Sequence, residues 1–150
     1  MTAKRRELVL WIVIGVLVLL AAIQFFQVDR DNPKKLAGVR WNSEESKSLA
    51  QRACYDCHSN ETVWPNYACY APISWFIASD VHEGRDSLNF SEWTYTRDQE
   101  ASKAIKMIEE VFDGDMPPNT YLWMHSEARL NESEKLDLVK GIEKTFSVKH

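Results

Sequence analysis

The sequence predicts an all-α domain preceded by a single N-terminal transmembrane helix, and three observations carry that reading. A nearly pure apolar run extends from Leu8 to Phe26. Farther along, apolar residues recur at spacings of three and four behind helix-capping residues, most clearly at Ala101, Ala104, Ile105, Ile108, Val111 and Phe112. No β-hairpin signal appears, and there is no internal repeat. With 150 residues, 45% hydrophobic and 27% charged, the chain has the makings of one globular domain plus an attachment.

The apolar run is broken only by Gly15 and Gln24. Its nineteen residues would rise about 28 Å as a helix, close to the ~30 Å hydrocarbon core of a bilayer. Lys4, Arg5 and Arg6 precede it, so the positive-inside rule assigns residues 1–7 to the cytoplasm and everything past the span 8–26 to the far side. The same charges and apolar core would serve a cleaved signal peptide. Leu20, however, stands where a cleavage site ending at Ala22 needs a small residue, so a retained anchor is expected. On either reading the chain is exported, which in a bacterium means a periplasmic domain; the retained segment makes it a single-pass inner-membrane protein.

Residues 27–41 are polar, contain Pro33 and Gly38, and read as a linker to a domain over 42–150. Asn42 or Ser43 caps a first helix, with Glu44 and Glu45 in its first turn, that should run to about Asp56 and turn Leu49, Ala50 and Ala53 inward. Pro72 suits the opening of a second, over about 72–83, with Trp75, Phe76 and Ala78 inward and Gly84 as its stop. Thr96 and Gln99 form a capping box for the third, ended by Gly114. Asn131 and Glu134 open the last, whose Leu136, Val139, Ile142 and Phe146 make one apolar face.

Where the first of these helices closes stands Cys54-Tyr55-Asp56-Cys57-His58, a C-x-x-C-H, the attachment signature of a c-type haem. Two thiols separated by two residues can add to the two vinyl groups of one porphyrin, and the histidine that follows directly is carried under the iron as its proximal ligand. One covalent haem is expected on Cys54, Cys57 and His58. A redox dithiol expects a βαβ setting, whereas the surroundings here read as helix. Half a zinc site lacks its second ligand pair, since the remaining cysteine, Cys69, has no C-x-x-C partner.

Trp64 and Tyr67, in the aromatic loop after His58, are candidates to line the ring, and Arg85 is a candidate partner for a propionate. The sixth iron position decides the function. Met116, in the loop Gly114-Asp115-Met116-Pro117-Pro118, is the favoured ligand; His125, His82 and His150 are the alternatives, and an open position is the other. Past residue 30 the chain carries 20 acidic against 14 basic side chains, which disfavours nucleic acid and favours positively charged redox partners.

The chain resembles a bacterial haem-binding domain family of short c-type cytochromes. The likeness rests on six blocks in order: Cys54 to Asn60, Trp64-Pro65, Pro72-Ile73-Ser74-Trp75, Gly84-Arg85, Asn89-Phe90-Ser91-Glu92-Trp93, and Met116-Pro117-Pro118. It implies a small haem c protein exported in bacteria, often found near redox enzymes. More distantly the arrangement is similar to single-haem cytochromes c, by which analogy the last helix would cross the first. Cys69 departs from the pattern as an unpaired thiol in an oxidising compartment, either buried or joining two chains. The expectation is therefore a cytochrome c-like electron-transfer protein that transforms no substrate. Two alternatives stay open: a five-coordinate haem protein acting as a peroxidase or diatomic-gas sensor, and a haem subunit of a larger membrane redox complex.

Overall fold

The computed structural model describes residues 2–149. Among them are seven α-helices, two 3₁₀ turns and no strand, with one isolated β-bridge between Ala37 and Glu92. The helices are α1 (Ala3–Ile23), α2 (Glu44–Ala53), α3 (Tyr55–His58), α4 (Ile73–Ser87), α5 (Arg97–Asp113), α6 (Asn119–Leu122) and α7 (Glu132–Phe146). The all-α expectation holds. Contacts divide the chain into two units, one made of residues up to Asp31 with Trp64–Asp80, the other of Asn32–Val63 with the residues from Val81 onward.

In the first unit, α1 is long and apolar enough to cross a membrane, and none of its side chains is buried by protein. It stops at Ile23, three residues short of the expected Phe26, where the side chain of Gln24 leaves for another partner. Its amide nitrogen donates to the Ala71 carbonyl at 2.9 Å and its oxygen accepts from the Ala71 N–H at 3.0 Å. The Trp75 indole N–H reaches the Phe26 carbonyl at 2.9 Å, and Arg30 donates to the Ala68 carbonyl at 3.1 Å. Phe76, expected to face inward, is exposed, as is Ile73.

The second unit is built on α2, α5 and α7. Ser43 caps α2 by accepting from the Ser46 N–H at 3.1 Å, and Leu49, Ala50 and Ala53 are buried as expected. The helix does not reach Asp56. Cys54 leaves helical geometry at φ −128°, and its carbonyl collects the N–H groups of Cys57 (3.3 Å) and His58 (2.9 Å), so the C-x-x-C-H forms its own turn, α3. Capping boxes at Thr96 and Asn131 open α5 and α7, and Gly114 closes α5 at φ +81°, a conformation that favours glycine. Their buried stripes are narrower than the spacing suggested. On α5, Ala104, Ile108 and Val111 are buried while Ile105 and Phe112 sit at the edge, exposed. On α7, Leu138, Gly141 and Ile142 are buried and Leu136 is exposed.

The last helix does pack on α2, the first helix of the domain. A Cβ at Gly141 would overlap the Ser46 side chain, Asn42 N–H donates to Thr145 at 3.0 Å, and Arg52 pairs with Glu134 at 2.6 Å. Tyr55, Phe90, Leu88 and Leu130 complete the core, with Trp41 and Trp93 packed against it. Residues 36–39, within the expected linker, join the domain instead: the N–H groups of Leu36 and Val39 donate to Ser91 and Phe90 at 3.1 Å each.

Gly84 does not stop α4, which continues through it to Ser87. Glycine is needed there for a close approach, because a Cβ would lie 2.5 Å from the Cys57 carbonyl oxygen. Gly84→Ala should therefore cost about 1–3 kcal/mol through overpacking, read as a lower denaturant midpoint, with reduced haem loading. Of two neighbouring isoleucines, Ile108→Ala should cost about 2–5 kcal/mol and Ile105→Ala under about 1 kcal/mol, the opposite of equal burial.

Candidate cofactor site

The C-x-x-C-H turn is held from both sides. Within the following loop, Ser59 donates to the Tyr55 carbonyl at 2.7 Å and accepts from the Glu61 N–H at 2.9 Å. Thr62 donates to the Asp56 carbonyl at 2.7 Å, and the Asp56 carboxylate accepts from the Val63 N–H (2.9 Å) and the Tyr121 hydroxyl (2.7 Å). Burial, reinforced by that carboxylate, pushes the Tyr121 phenol well above its ordinary pKa, so it stays a protonated donor.

A second set of bonds ties the loop to the segment 89–92. Asn89 donates to Asn60 Oδ1 at 2.8 Å, and the Asn60 N–H donates to Ser91 Oγ at 3.0 Å. Asn60 Nδ2 reaches Glu92 at 2.7 Å, and the Ser91 N–H returns to Asn89 Oδ1 at 2.9 Å. The Phe90 N–H donates to the His58 carbonyl at 2.8 Å, while its ring stacks on Tyr55 with centroids 5.0 Å apart. Asn60, Asn89 and Ser91 are buried, so unmade bonds here would each cost about 1–3 kcal/mol. Two blocks of the resemblance, Cys54 to Asn60 and Asn89 to Trp93, are thus halves of one network, a pairing that local spacing does not encode.

His58 is oriented by α4. Its Nδ1 lies 2.9 Å from the Gly84 carbonyl and 3.2 Å from the Leu88 carbonyl. Both are acceptors, so Nδ1 carries the proton and Nε2 keeps a lone pair. Burial pulls the His58 pKa below its ordinary value against the opposing effect of the two carbonyls and Glu110, which favours the neutral imidazole that a metal ligand requires.

His58 and Cys54 line a cavity with Met116, walled by Trp41, Leu88, Phe90, Met107 and Ile142. These residue types suit a haem: apolar walls for a ring, a nitrogen ligand, a thiol, and a thioether on the rim. At about 250 Å³ the cavity is just below the ~300–1,000 Å³ of ordinary ligand sites, so it takes in only part of a porphyrin unless the rim moves. The lining also includes Lys103, Lys106 and Glu110, which no motif or spacing in the sequence singles out. Lys106 is a cation available to a propionate, whereas Lys103 donates to the Ser87 carbonyl at 2.6 Å.

Burial and the neighbouring Cys57 push the Cys54 thiol up to about 12, the reverse of the lowered pKa of a reactive dithiol. Among the described residues no cluster of three or more His, Cys, Asp or Glu side chains could hold a metal, and no disulfide joins the cysteines. Arg85, expected at a propionate, donates to the Ser59 carbonyl (2.8 Å), Asn32 (2.8 Å) and Thr62 (2.9 Å) and so clamps the loop after His58. Trp64 and Tyr67 belong to the first unit, as does the exposed Cys69.

Of the alternative sixth ligands, neither His125 nor His82 lines this cavity. His125 stacks on Tyr121 at 4.3 Å and pairs with Glu127 at 3.2 Å, and His82 is exposed beside Asp86 at 3.6 Å; His150 lies outside the described residues. Met116 shares the cavity with His58, its loop fixed by the Asp115 and Met116 N–H groups, which both donate to the Glu110 carbonyl at 3.0 Å.

No curated protein and no solved structure matches the chain. A family model described as a haem-binding domain does, over residues 18–144, a span that takes in the C-x-x-C-H turn, the asparagine network, α4 and the Met116 loop. The chain belongs to this haem-binding domain family.

Proposed function

We propose that the chain is a membrane-anchored, monohaem c-type cytochrome that passes single electrons on the periplasmic side of a bacterial inner membrane. The observation that carries this reading is the shared cavity of Cys54, His58 and Met116, with the His58 Nδ1–H already committed to backbone carbonyls. On this reading Cys54 and Cys57 supply the two thiols for vinyl addition, one covalent ring per chain. His58 Nε2 and the Met116 sulfur would hold the iron.

The haem, when bound, supplies an iron that gains and loses one electron. The protein's contribution is to orient the side chains that would ligate the iron. Gly84 and Leu88 fix the imidazole plane, and the Glu110 carbonyl fixes the methionine loop. The apolar walls exclude water, and the soft sulfur ligand favours the reduced iron; both raise the potential. No substrate is transformed.

A positively charged redox partner fits the acidic stretch of chain that carries Met116, set against Lys103 and Lys106 in the cavity lining. Between Lys106 and Arg129 the chain carries Glu109, Glu110, Asp113, Asp115 and Glu127 and no lysine or arginine. Such a field steers cationic partners at low salt. The tether and the side of the membrane rest on α1 and on Lys4, Arg5 and Arg6 before its apolar stretch.

The visible spectrum of the oxidised, haem-loaded chain should show the weak far-red band of sulfur-to-iron ligation, lost in Met116→Ala together with a fall in reduction potential. A high-spin spectrum indifferent to that substitution, with ready carbon monoxide binding on reduction, would put a catalytic or gas-sensing haem in place of the carrier. For the tether, protease added to spheroplasts should digest everything past α1; protection of the domain would reverse the orientation.

A further inference from the structure

We infer that the segment Tyr70–Phe76 is a second membrane contact, an uncharged aromatic collar that lies in the lipid headgroup and upper acyl region beside the outer end of α1. The inference rests on the reading of α1 as a membrane span.

Length supplies the first argument. The apolar part of α1 is the sixteen residues Leu8–Ile23, which rise about 24 Å and fall short of a ~30 Å hydrocarbon core. A shortfall of this kind is met by thinning the bilayer or by apolar surface next to the helix end. Here Phe25 and Phe26 follow the helix, with Phe25 89% exposed.

Composition supplies the second. From Trp64 to Ser79 there is no Asp, Glu, Lys or Arg in sixteen residues, and five of them are aromatic. Tyr70 is 65% exposed, Ile73 50% and Phe76 69%, a combination that costs free energy against water and is favourable at a bilayer interface, where aromatic residues concentrate.

Attachment supplies the third. Gln24, the polar interruption in the apolar run, has its amide paired in both directions with the backbone of Ala71, and it also donates to Leu20 at 2.9 Å. With Trp75 bonded to the Phe26 carbonyl, the collar is fixed to the end of the anchor. The residues just before the collar are set among charges: Trp64, Asn66 and Cys69 share a cleft with Asp29, Arg30 and Asp31. An apolar edge continuous with the span and a polar edge beside charges match the two sides of a bilayer interface.

The test uses the full haem-loaded chain in vesicles of phosphatidylethanolamine and phosphatidylglycerol containing a phospholipid with a photoreactive diazirine on its upper acyl chain. After photolysis, peptide mapping should find lipid adducts on both α1 and the 70–76 peptide. A Tyr70→Glu, Phe76→Glu variant should lose the second several-fold while keeping the first and the visible spectrum. Adducts on α1 with none on 70–76 would overturn the collar and leave the anchor standing, as for a face in water or covered by a second copy. Adducts on 70–76 that persist in the variant would also overturn it. Absence of adducts from α1 would remove the anchor, and the collar with it.

Discussion

The Nδ1–H of His58, donated to the carbonyls of Gly84 and Leu88 at the C-terminal end of α4, is the contact on which the candidate site depends. It sets the tautomer and so decides which ring nitrogen can bind iron. It also demands that α4 approach the C-x-x-C-H turn to within backbone contact, which the missing side chain of Gly84 permits. The Gly84 carbonyl also accepts the Leu88 N–H at 2.9 Å, so its two lone pairs serve the end of the helix and the imidazole together.

The rest of the domain holds that contact in place. Arg85, one residue past the glycine, ties α4 to the loop after His58 through Ser59 and Thr62. From the other side, Asn60, Asn89, Ser91 and Glu92 form a buried polar network that fixes the same loop against the 89–92 segment. Buried networks of this kind are favourable only when every member is satisfied, so their residues act as a unit. Phe90 then links polar and apolar parts, bonding the His58 carbonyl through its backbone and stacking its ring on Tyr55.

Much of this was legible in the residues. Caps at Ser43, Thr96 and Asn131 and the stop at Gly114 have local causes, and the helices begin and end there as expected. Gly84 was read as a stop because glycine often ends helices; what governs it is a tertiary approach to Cys57, which no local pattern encodes. Ile105, Phe112 and Leu136 were placed inward by spacing alone, but a stripe's width depends on what packs against it, and the contact on α7 is drawn in tightly at Gly141. Met116 was legible as a candidate from its loop, whereas its sharing of a cavity with His58 came only from the fold. Arg85 was legible as a charged candidate beside the glycine, whereas its bonds to the Ser59 carbonyl, Asn32 and Thr62 came only from the fold.

The central claim is that the turn from Cys54 to His58 carries one covalent haem, and intact-mass analysis of the chain made in cells competent for haem attachment tests it most directly. The account predicts a single species heavier than the polypeptide by one haem, the added mass surviving denaturation and mapping to the peptide that contains both Cys54 and Cys57. A chain at the bare polypeptide mass, with haem extracted by acid solvent or replaced by a Cys54–Cys57 disulfide, would contradict it.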